Sequence, residues 1–230
     1  NIFLADPTQA DVPVDFLLSK EHADDLREQI NPHYARKNLP EISLPNHEDT
    51  VYITVVDKDR NACSFINTLF NNFGSGLMAP RSGVTFTNRA QCFVIEPGHR
   101  NCIAPNKRPM HTIIPGMITK KGKAVMPFGV MGGHYQSFGH MHFLTKLFDF
   151  GKDIQEAQDL PRIFPIAGTN NVEMEGTVPK ETVEGLKKLG HNPTRPAKPI
   201  GGSQAIWIDW ERGILSGGSE PRKDGAAIGY

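Results

Sequence analysis

The sequence predicts an α+β fold, and three observations carry that reading. Val51, Ile53 and Val55 alternate with Tyr52, Thr54 and Val56, and after Asp57-Lys58-Asp59-Arg60 a second run extends from Ala62 to Leu69; period 2 on both sides of a polar turn marks a β-hairpin. Strand patterns recur at 84–86, 112–118, 124–130, 172–175, 205–209 and 214–216. The helical patterns fall between groups of strands instead of following each strand, which favours an α+β sandwich over βαβ repeats.

Taken in order, the first fifty residues form a loop through Pro13, one helix, and a Pro-rich stretch ending near Pro45. Ser19 is a favourable N-cap for that helix, Glu21 sits near its positive end, Ala23, Leu26 and Ile30 share a face, and Asn31-Pro32 stops it. One narrow apolar stripe does not make a domain, so this part reads as a connecting segment. Helices are predicted over 135–148, 154–160 and 179–189, the last opened by Pro179 at its first position and closed by Gly190. With no internal repeat or low-complexity tract, the organisation is one domain with a leader segment attached.

At 230 residues, 38% hydrophobic and 22% charged, the chain has an ordinary globular composition. Its 25 basic residues balance 25 acidic ones, so neither nucleic acid nor an anionic membrane is the default partner. Apolar runs such as Phe143-Leu144 and Ile113-Ile114 fall far short of the ~20 residues that span a bilayer. The first residues, Asn1 to Pro7, carry neither a charged leader nor an apolar core, and so contain no secretion signal. Cys63, Cys92 and Cys102 contain no C-x-x-C pair, which argues against a disulfide framework or a cysteine zinc site and for buried or inert thiols.

The residues that carry chemistry begin at Asp49-Thr50, directly before the alternating strand. On spacing alone this is the start of any hairpin. Other motifs stand in a fixed order around it: Asp6-Pro7, Val12-Pro13 and Leu17-Leu18-Ser19-Lys20 before it, then Val55-Val56-Asp57 and Phe73-Gly74-Ser75-Gly76. Pro105-Asn106-Lys107-Arg108-Pro109, Gly132-Gly133, Gly202-Ser203-Gln204, Ser219-Glu220-Pro221-Arg222 and a terminal Gly229-Tyr230 follow. Together they resemble the γ-glutamyltranspeptidase family of N-terminal-nucleophile hydrolases, across the region spanning its processing site.

That resemblance implies an αββα sandwich of which this chain supplies roughly half, with residues 1–49 as the tail of the large-subunit region and the processing linker, and 50–230 as the small-subunit catalytic region. It implies that the hydroxyl of Thr50 attacks the Asp49 carbonyl to cut the precursor, after which Thr50 holds nucleophile and base on one residue. An α-amine, with a pKa of about 7.7–8.0, accepts a hydroxyl proton near neutral pH. Gly132 and Gly133 would offer backbone N–H groups to the oxyanion, and Thr68 would support the nucleophile. The bland reading of the two glycines is a strand-to-helix turn. No cofactor is implied; the implied partners are the large-subunit segment of the same precursor and a small-molecule amide or γ-glutamyl substrate. The compartment stays open, periplasmic or secreted in the manner of well-known members, or cytoplasmic.

The pocket departs from the family pattern. By register, Phe70 stands for an amine-binding Asn, Arg89 for a Gln, Cys92 for an amine-binding Asp, and His111 and Thr112 for two serines. Residues 93–104 are shorter than the family's lid, which implies a more open site. A cation at Arg89 repels an ammonium and attracts a carboxylate, so acylases acting on carboxylate-bearing groups without an α-amine, cephalosporin-acylase-like or oxamate-hydrolase-like, are the alternative. Two further readings are a metal hydrolase built on His134, His140 and His142, and an unprocessed, non-catalytic binding piece. Against the metal, His140 and His142 are two apart on a helix and do not share a face.

Overall fold

The computed structural model describes residues 3–40 and 49–230, with only the backbone of Asp49. The Pro-rich stretch near Pro45 lies outside the described residues. In chain order the elements are α1 (Val14–Leu17), α2 (Lys20–Glu28), β1 (Asp49–Val56), β2 (Ala62–Phe70), a 3-10 turn (Arg89–Cys92), β3 (Gly116–Lys120) and β4 (Lys123–Met131). Then come α3 (Tyr135–Phe148), α4 (Ile154–Asp159), β5 (Ile163–Pro165), β6 (Asn171–Met174), α5 (Lys180–Lys188), β7 (Asn192–Thr194), β8 (Gly202–Asp209) and β9 (Ile214–Gly218). They fall into two compact units, one of Asn1–Pro45, Arg89–His111 and Pro165–Arg195, the other of Asn46–Asn88, Thr112–Phe164 and Pro196–Tyr230.

The second unit is layered. An antiparallel sheet in the order β3-β4-β8-β9 lies at its centre. Phe128 and Met126 of β4 pack with Phe143 of α3 and with Ile154 and Ala157 of α4. Gly129, on the opposite face of β4, lies under the ring of Tyr52 from the β1-β2 hairpin: a Cβ at Gly129 would stand 2.3 Å from that ring. The Ser64 hydroxyl, which pairs with the Tyr52 hydroxyl at 2.7 Å, reaches the Phe128 carbonyl at 3.2 Å. Helices, sheet and hairpin therefore stack as three layers. Because β4 is covered on both faces, it is apolar without alternation from Met126 to Met131.

The hairpin register matches the expected turn. Val56 faces Ala62 and Ile53 faces Phe65. The Asp57 carboxylate accepts from the backbone N–H groups of Asp59 and Asn61 at 2.9 and 2.8 Å and from the Asn61 side chain, while Arg60 takes φ 66°. The inner face buries Tyr52 and Val56, and the outer face presents Val51, Ile53, Val55 and Phe65, each at least 45% exposed.

In the first unit, Ser19 caps α2 as expected, accepting from His22 N–H at 3.1 Å, and Gly190 ends α5 at φ 96°. Pro179 is the N-cap of α5, one position before the first helical turn expected for it. The Asp6 carboxylate is the anchor of the N-terminal segment. It accepts from Thr8 and from the backbone N–H, Nε and Nη2 of Arg108 at 2.9, 3.2 and 3.0 Å, and these bonds hold its pKa far below the carboxylate range.

One expectation is corrected. Residues 84–86 form no strand, only an isolated bridge from Thr85 to Met78. Gly74 and Gly76 sit at φ 56° and 73°, and a Cβ at Gly74 would stand 2.3 Å from the Phe86 carbonyl oxygen, so the chain there is a tight loop. The thiols differ in burial: Cys63, on the outer face of β2, is exposed, Cys102 is half-buried and Cys92 is buried.

Candidate active site

Thr50 occupies an irregular end of the hairpin. The β1-β2 register shifts between Asp49, which pairs with Phe70, and Val51, which pairs with Asn67, so β2 carries one extra residue there. The half-buried Thr50 points its Oγ1 toward Thr68 Oγ1 at 3.5 Å. Thr68 also accepts from the Phe70 N–H at 3.0 Å and so holds Phe70 at φ 77°, an unusual conformation for an aromatic residue. Phe70 is 1% exposed; it shapes the end of the strand from inside. Beyond it, Asn71 N–H donates to Asn88 Oδ1 at 3.0 Å and Thr87 Oγ1 to the Leu69 carbonyl at 2.9 Å, fixing the exit of β2.

Gly132 and Gly133 form the turn from β4 into α3, at φ 128° and 58°. Their carbonyls accept from Tyr135 and Gln136 N–H at 3.1 and 3.2 Å, which starts the helix. A Cβ at Gly132 would lie 2.7 Å from Gly201 Cα, and one at Gly201, φ 58°, would lie 2.4 Å from the Tyr135 ring and 2.7 Å from the Met131 carbonyl oxygen. Two backbones therefore meet where only glycine fits.

Arg89 and Cys92 share the 3-10 turn of the first unit and are 7% and 5% exposed. Burial pushes the Arg89 pKa down and the Cys92 thiol up, and contact between the two partly offsets both shifts. Arginine stays charged under such a shift, so the turn holds a buried cation beside a neutral thiol. Asn101, 3% exposed, joins this turn to the segment before His111: its Nδ2 donates to the Cys92 carbonyl, and its Oδ1 accepts from Met110 N–H at 3.0 Å. His111 is exposed and Thr112 half-buried. Within their own units, then, Thr50, Thr68 and Phe70 converge, and so do Arg89, Cys92 and the approach to His111.

His140 is half-buried on α3, where its Nε2 accepts from Val130 N–H at 3.2 Å. Burial lowers its pKa from 6.5 to about 4, and the lone pair a metal would need is engaged by the strand. Among the described residues no three His, Cys, Asp or Glu side chains gather as metal ligands, and no helix is long and apolar enough to cross a membrane.

The feature sequence reasoning missed is a buried polar network. Arg162 donates to the Ile200 carbonyl at 2.8 Å, to Ser203 Oγ at 2.9 Å and to Glu220. Glu220 also accepts from Ser203 N–H at 2.8 Å and from Arg222 Nη1 at 2.9 Å, and Arg222 reaches the Gln158 and Leu160 carbonyls. The motifs Gly202-Ser203-Gln204 and Ser219-Glu220-Pro221-Arg222 were visible as spaced strings, but only folding shows that they meet at Arg162.

Layers of this kind, with a hairpin on a sheet backed by helices, make the fold one of α+β class. The model of the gamma-glutamyltranspeptidase family matches residues 1–230, and the chain belongs to that family. It is 36% identical over 98% of its length to the glutathione hydrolase-like YwrD proenzyme of Bacillus subtilis and 32% identical over 99% to the oxamate amidohydrolase proenzyme of Klebsiella pneumoniae. Among solved structures, the cephalosporin acylase of Bacillus halodurans superposes on all of it with a TM-score of 0.87 at 38% identity. The chain spans 43% and 44% of those two proenzymes and 42% of that acylase.

Proposed function

We propose that this chain is the downstream part of a self-processing amidohydrolase or acyltransferase whose nucleophile is Thr50. The observation that carries the reading is the half-buried Thr50 hydroxyl, 3.5 Å from Thr68 Oγ1 at the irregular end of β1. Residues 1–49 are the tail of the large-subunit region, and 50–230 are the catalytic region. In processing, Thr50 Oγ attacks the Asp49 carbonyl carbon, the C–N bond breaks as an ester forms, and water hydrolyses the ester to leave the Asp49 carboxylate and a free Thr50 amine. That amine then accepts the hydroxyl proton as Oγ attacks the substrate amide; acyl-Thr50 forms, the amine product leaves, and water or an acceptor amine takes the acyl group. Gly132 and Gly133, whose carbonyls are turned into α3, supply N–H groups to the oxyanion.

The large-subunit segment is the expected cover for the outer face of the hairpin. Val51, Ile53, Val55 and Phe65 present a contiguous apolar surface on adjacent strands, which a separate layer would complete.

For the acyl group, the buried Arg89 beside neutral Cys92 favours a substrate carboxylate over an ammonium; Phe70, His111 and Thr112 are substrate-binding candidates by family register alone. The names of two relatives, an oxamate amidohydrolase and a cephalosporin acylase, agree with an acid-bearing acyl donor lacking an α-amine.

The test is substitution in the full-length precursor. Thr50→Ala is expected to abolish both the new Thr50 amino terminus, read by mass spectrometry, and turnover, whereas Thr50→Ser retains part of each. Normal processing and turnover in Thr50→Ala would remove this residue from the chemistry.

A further inference from the structure

The glycine turn at the end of β4 has no rigidity of its own. Gly132 and Gly133 both occupy left-handed φ values, and glycine is the residue with most conformational freedom to lose. Donors that stabilise an oxyanion act through preorganisation, so something must hold them. β8 is the neighbour that does so: Met131 pairs with Gly202, and Val130 with Ser203, while Gly201 lies so close to Gly132 that a Cβ at Gly132 would stand 2.7 Å from its Cα, and a Cβ at Gly201 would meet the Tyr135 ring and the Met131 carbonyl oxygen.

What fixes residues 200–203 is the Arg162 guanidinium. One nitrogen takes the Ile200 carbonyl at 2.8 Å and the other takes Ser203 Oγ at 2.9 Å, bracketing Gly201 from both sides. The same guanidinium lies 5.9 Å from the centre of the Tyr135 ring, and Tyr135 N–H donates to the Gly132 carbonyl at 3.1 Å. Arg162 thus touches the segment behind the glycine turn and the residue that closes it. Glu220 holds the arginine in turn. It is 1% exposed, one carboxylate oxygen accepts from Arg162 and from the N–H and Oγ of Ser203, and the other accepts from the N–H and Nη1 of Arg222.

We propose that Arg162 and Glu220 are positioning residues for the oxyanion donors: their buried ion pair locks residues 200–203 against Gly132 and thereby sets the direction of the Gly132 and Gly133 N–H groups. A buried ion pair is an inefficient way to gain stability alone, because desolvation offsets much of the attraction, but its fixed hydrogen-bond directions specify one geometry. The forked contact to Ile200 and Ser203 is one a lysine cannot reproduce. The inference rests on the acyl-transfer reading above.

The experiment uses the full-length processed protein with Arg162→Lys. Active sites are counted by burst titration, so that kcat is expressed per competent molecule. The substrate is glutaryl- or γ-glutamyl-p-nitroanilide, whichever wild type turns over faster, and the probe is the boronic acid of the same acyl chain, whose boron adds Thr50 Oγ and becomes a tetrahedral anion. Loss of one oxyanion donor costs about 10²–10³ in kcat, so misaimed donors should cost on the order of 10–100-fold. KM should stay within about twofold, because the ground-state carbonyl makes little use of the hole, and boronate affinity should fall in parallel with kcat. A merely structural role would lower the melting temperature and the number of active sites but leave kcat per site and boronate affinity at wild-type values, and that result overturns the proposal. If Arg162→Lys does not fold, Ser203→Ala decides: it removes one seat of the guanidinium and keeps the N–H that Glu220 accepts from. A several-fold loss in kcat at constant KM is then expected, and unchanged kcat overturns the proposal. A wild-type protein that neither turns over the anilides nor binds the boronate overturns the acyl-transfer reading itself.

Discussion

Two small pieces of backbone, the Gly132-Gly133 turn and the Arg89–Cys92 turn, sit in very different surroundings, and under the acyl-transfer proposal the contrast separates chemistry from specificity. The glycine turn ends a strand buried on both faces, abuts a second glycine backbone, and is backed by a network in which both Glu220 oxygens are satisfied. The 3-10 turn lies in irregular chain, and Asn101 bridges its Cys92 carbonyl to Met110. A step common to all acyl substrates belongs on the rigid part. Recognition of one acyl group belongs where substitution disturbs little else.

The sharpest way to break the rigid side is Gly201→Ala. The added methyl would stand 2.7 Å from the Met131 carbonyl oxygen and 2.4 Å from the Tyr135 ring, at φ 58°. Backbone strain at an L-residue there costs about 1–2 kcal/mol, and displacing strand backbone in a packed core adds about 1–3 kcal/mol. The expected result is loss of processing together with a fall in melting temperature, measured by mass spectrometry and calorimetry. An active, equally stable Gly201→Ala protein would show that the two backbones do not need to meet.

The specificity side should change without loss of fold. Arg89→Gln with Cys92→Asp replaces a buried cation and a neutral thiol with the pattern expected for an amine-binding pocket. Burying an unpartnered ammonium costs at least several kcal/mol, and even ~3 kcal/mol in the transition state exceeds a hundredfold in kcat/KM. Wild type should therefore prefer an anilide carrying a carboxylate but no α-amine over γ-glutamyl-p-nitroanilide, and the double variant should shift toward the glutamyl donor. A wild type that already prefers the γ-glutamyl donor by a wide margin would remove Arg89 and Cys92 from acyl selection.

The same contrast explains what was legible in the sequence. The hairpin, α3 and the paired strands β8 and β9 were readable because their signals are local: alternation from Val51 to Val56, a helical period from Tyr135 to Phe148, and a turn where Asp57 bonds to its own neighbours. Residues 84–86 alternate as a strand does, yet positive-φ glycines on the facing segment leave them a single bridge. β7, with Pro193 inside it, was missed because it is held by parallel pairing to β6. Thr50 and the glycine pair were singled out as candidates through ordered motifs. Arg162 was not, because its partners at 200, 203 and 220 lie 38, 41 and 58 residues away, beyond any local pattern.

The smallest effect expected is a pH dependence that acts on the rigid side alone. His140 supports the end of β4 by accepting Val130 N–H on Nε2 at 3.2 Å, with the Phe128 ring 5.0 Å away. Accepting requires the neutral imidazole, and burial holds its pKa near 4 against the usual 6.5. Because the folded pKa lies below the unfolded one, this group's contribution is fully present above pH 6.5, declines as the unfolded state takes up protons below that, and is lost by about pH 4. At pH 5 the loss should be about 1–2 kcal/mol, since one pKa unit corresponds to about 1.4 kcal/mol and the ring is partly accessible. Carboxylates titrate in the same window, so the measurement is the difference between wild type and His140→Gln, whose amide oxygen can accept the same N–H without titrating. Denaturant melts between pH 7 and pH 4 should show wild type losing stability more steeply than the variant through this window. Parallel curves would mean that His140 is not a neutral acceptor in the folded protein, and that the support under the glycine turn carries no proton switch.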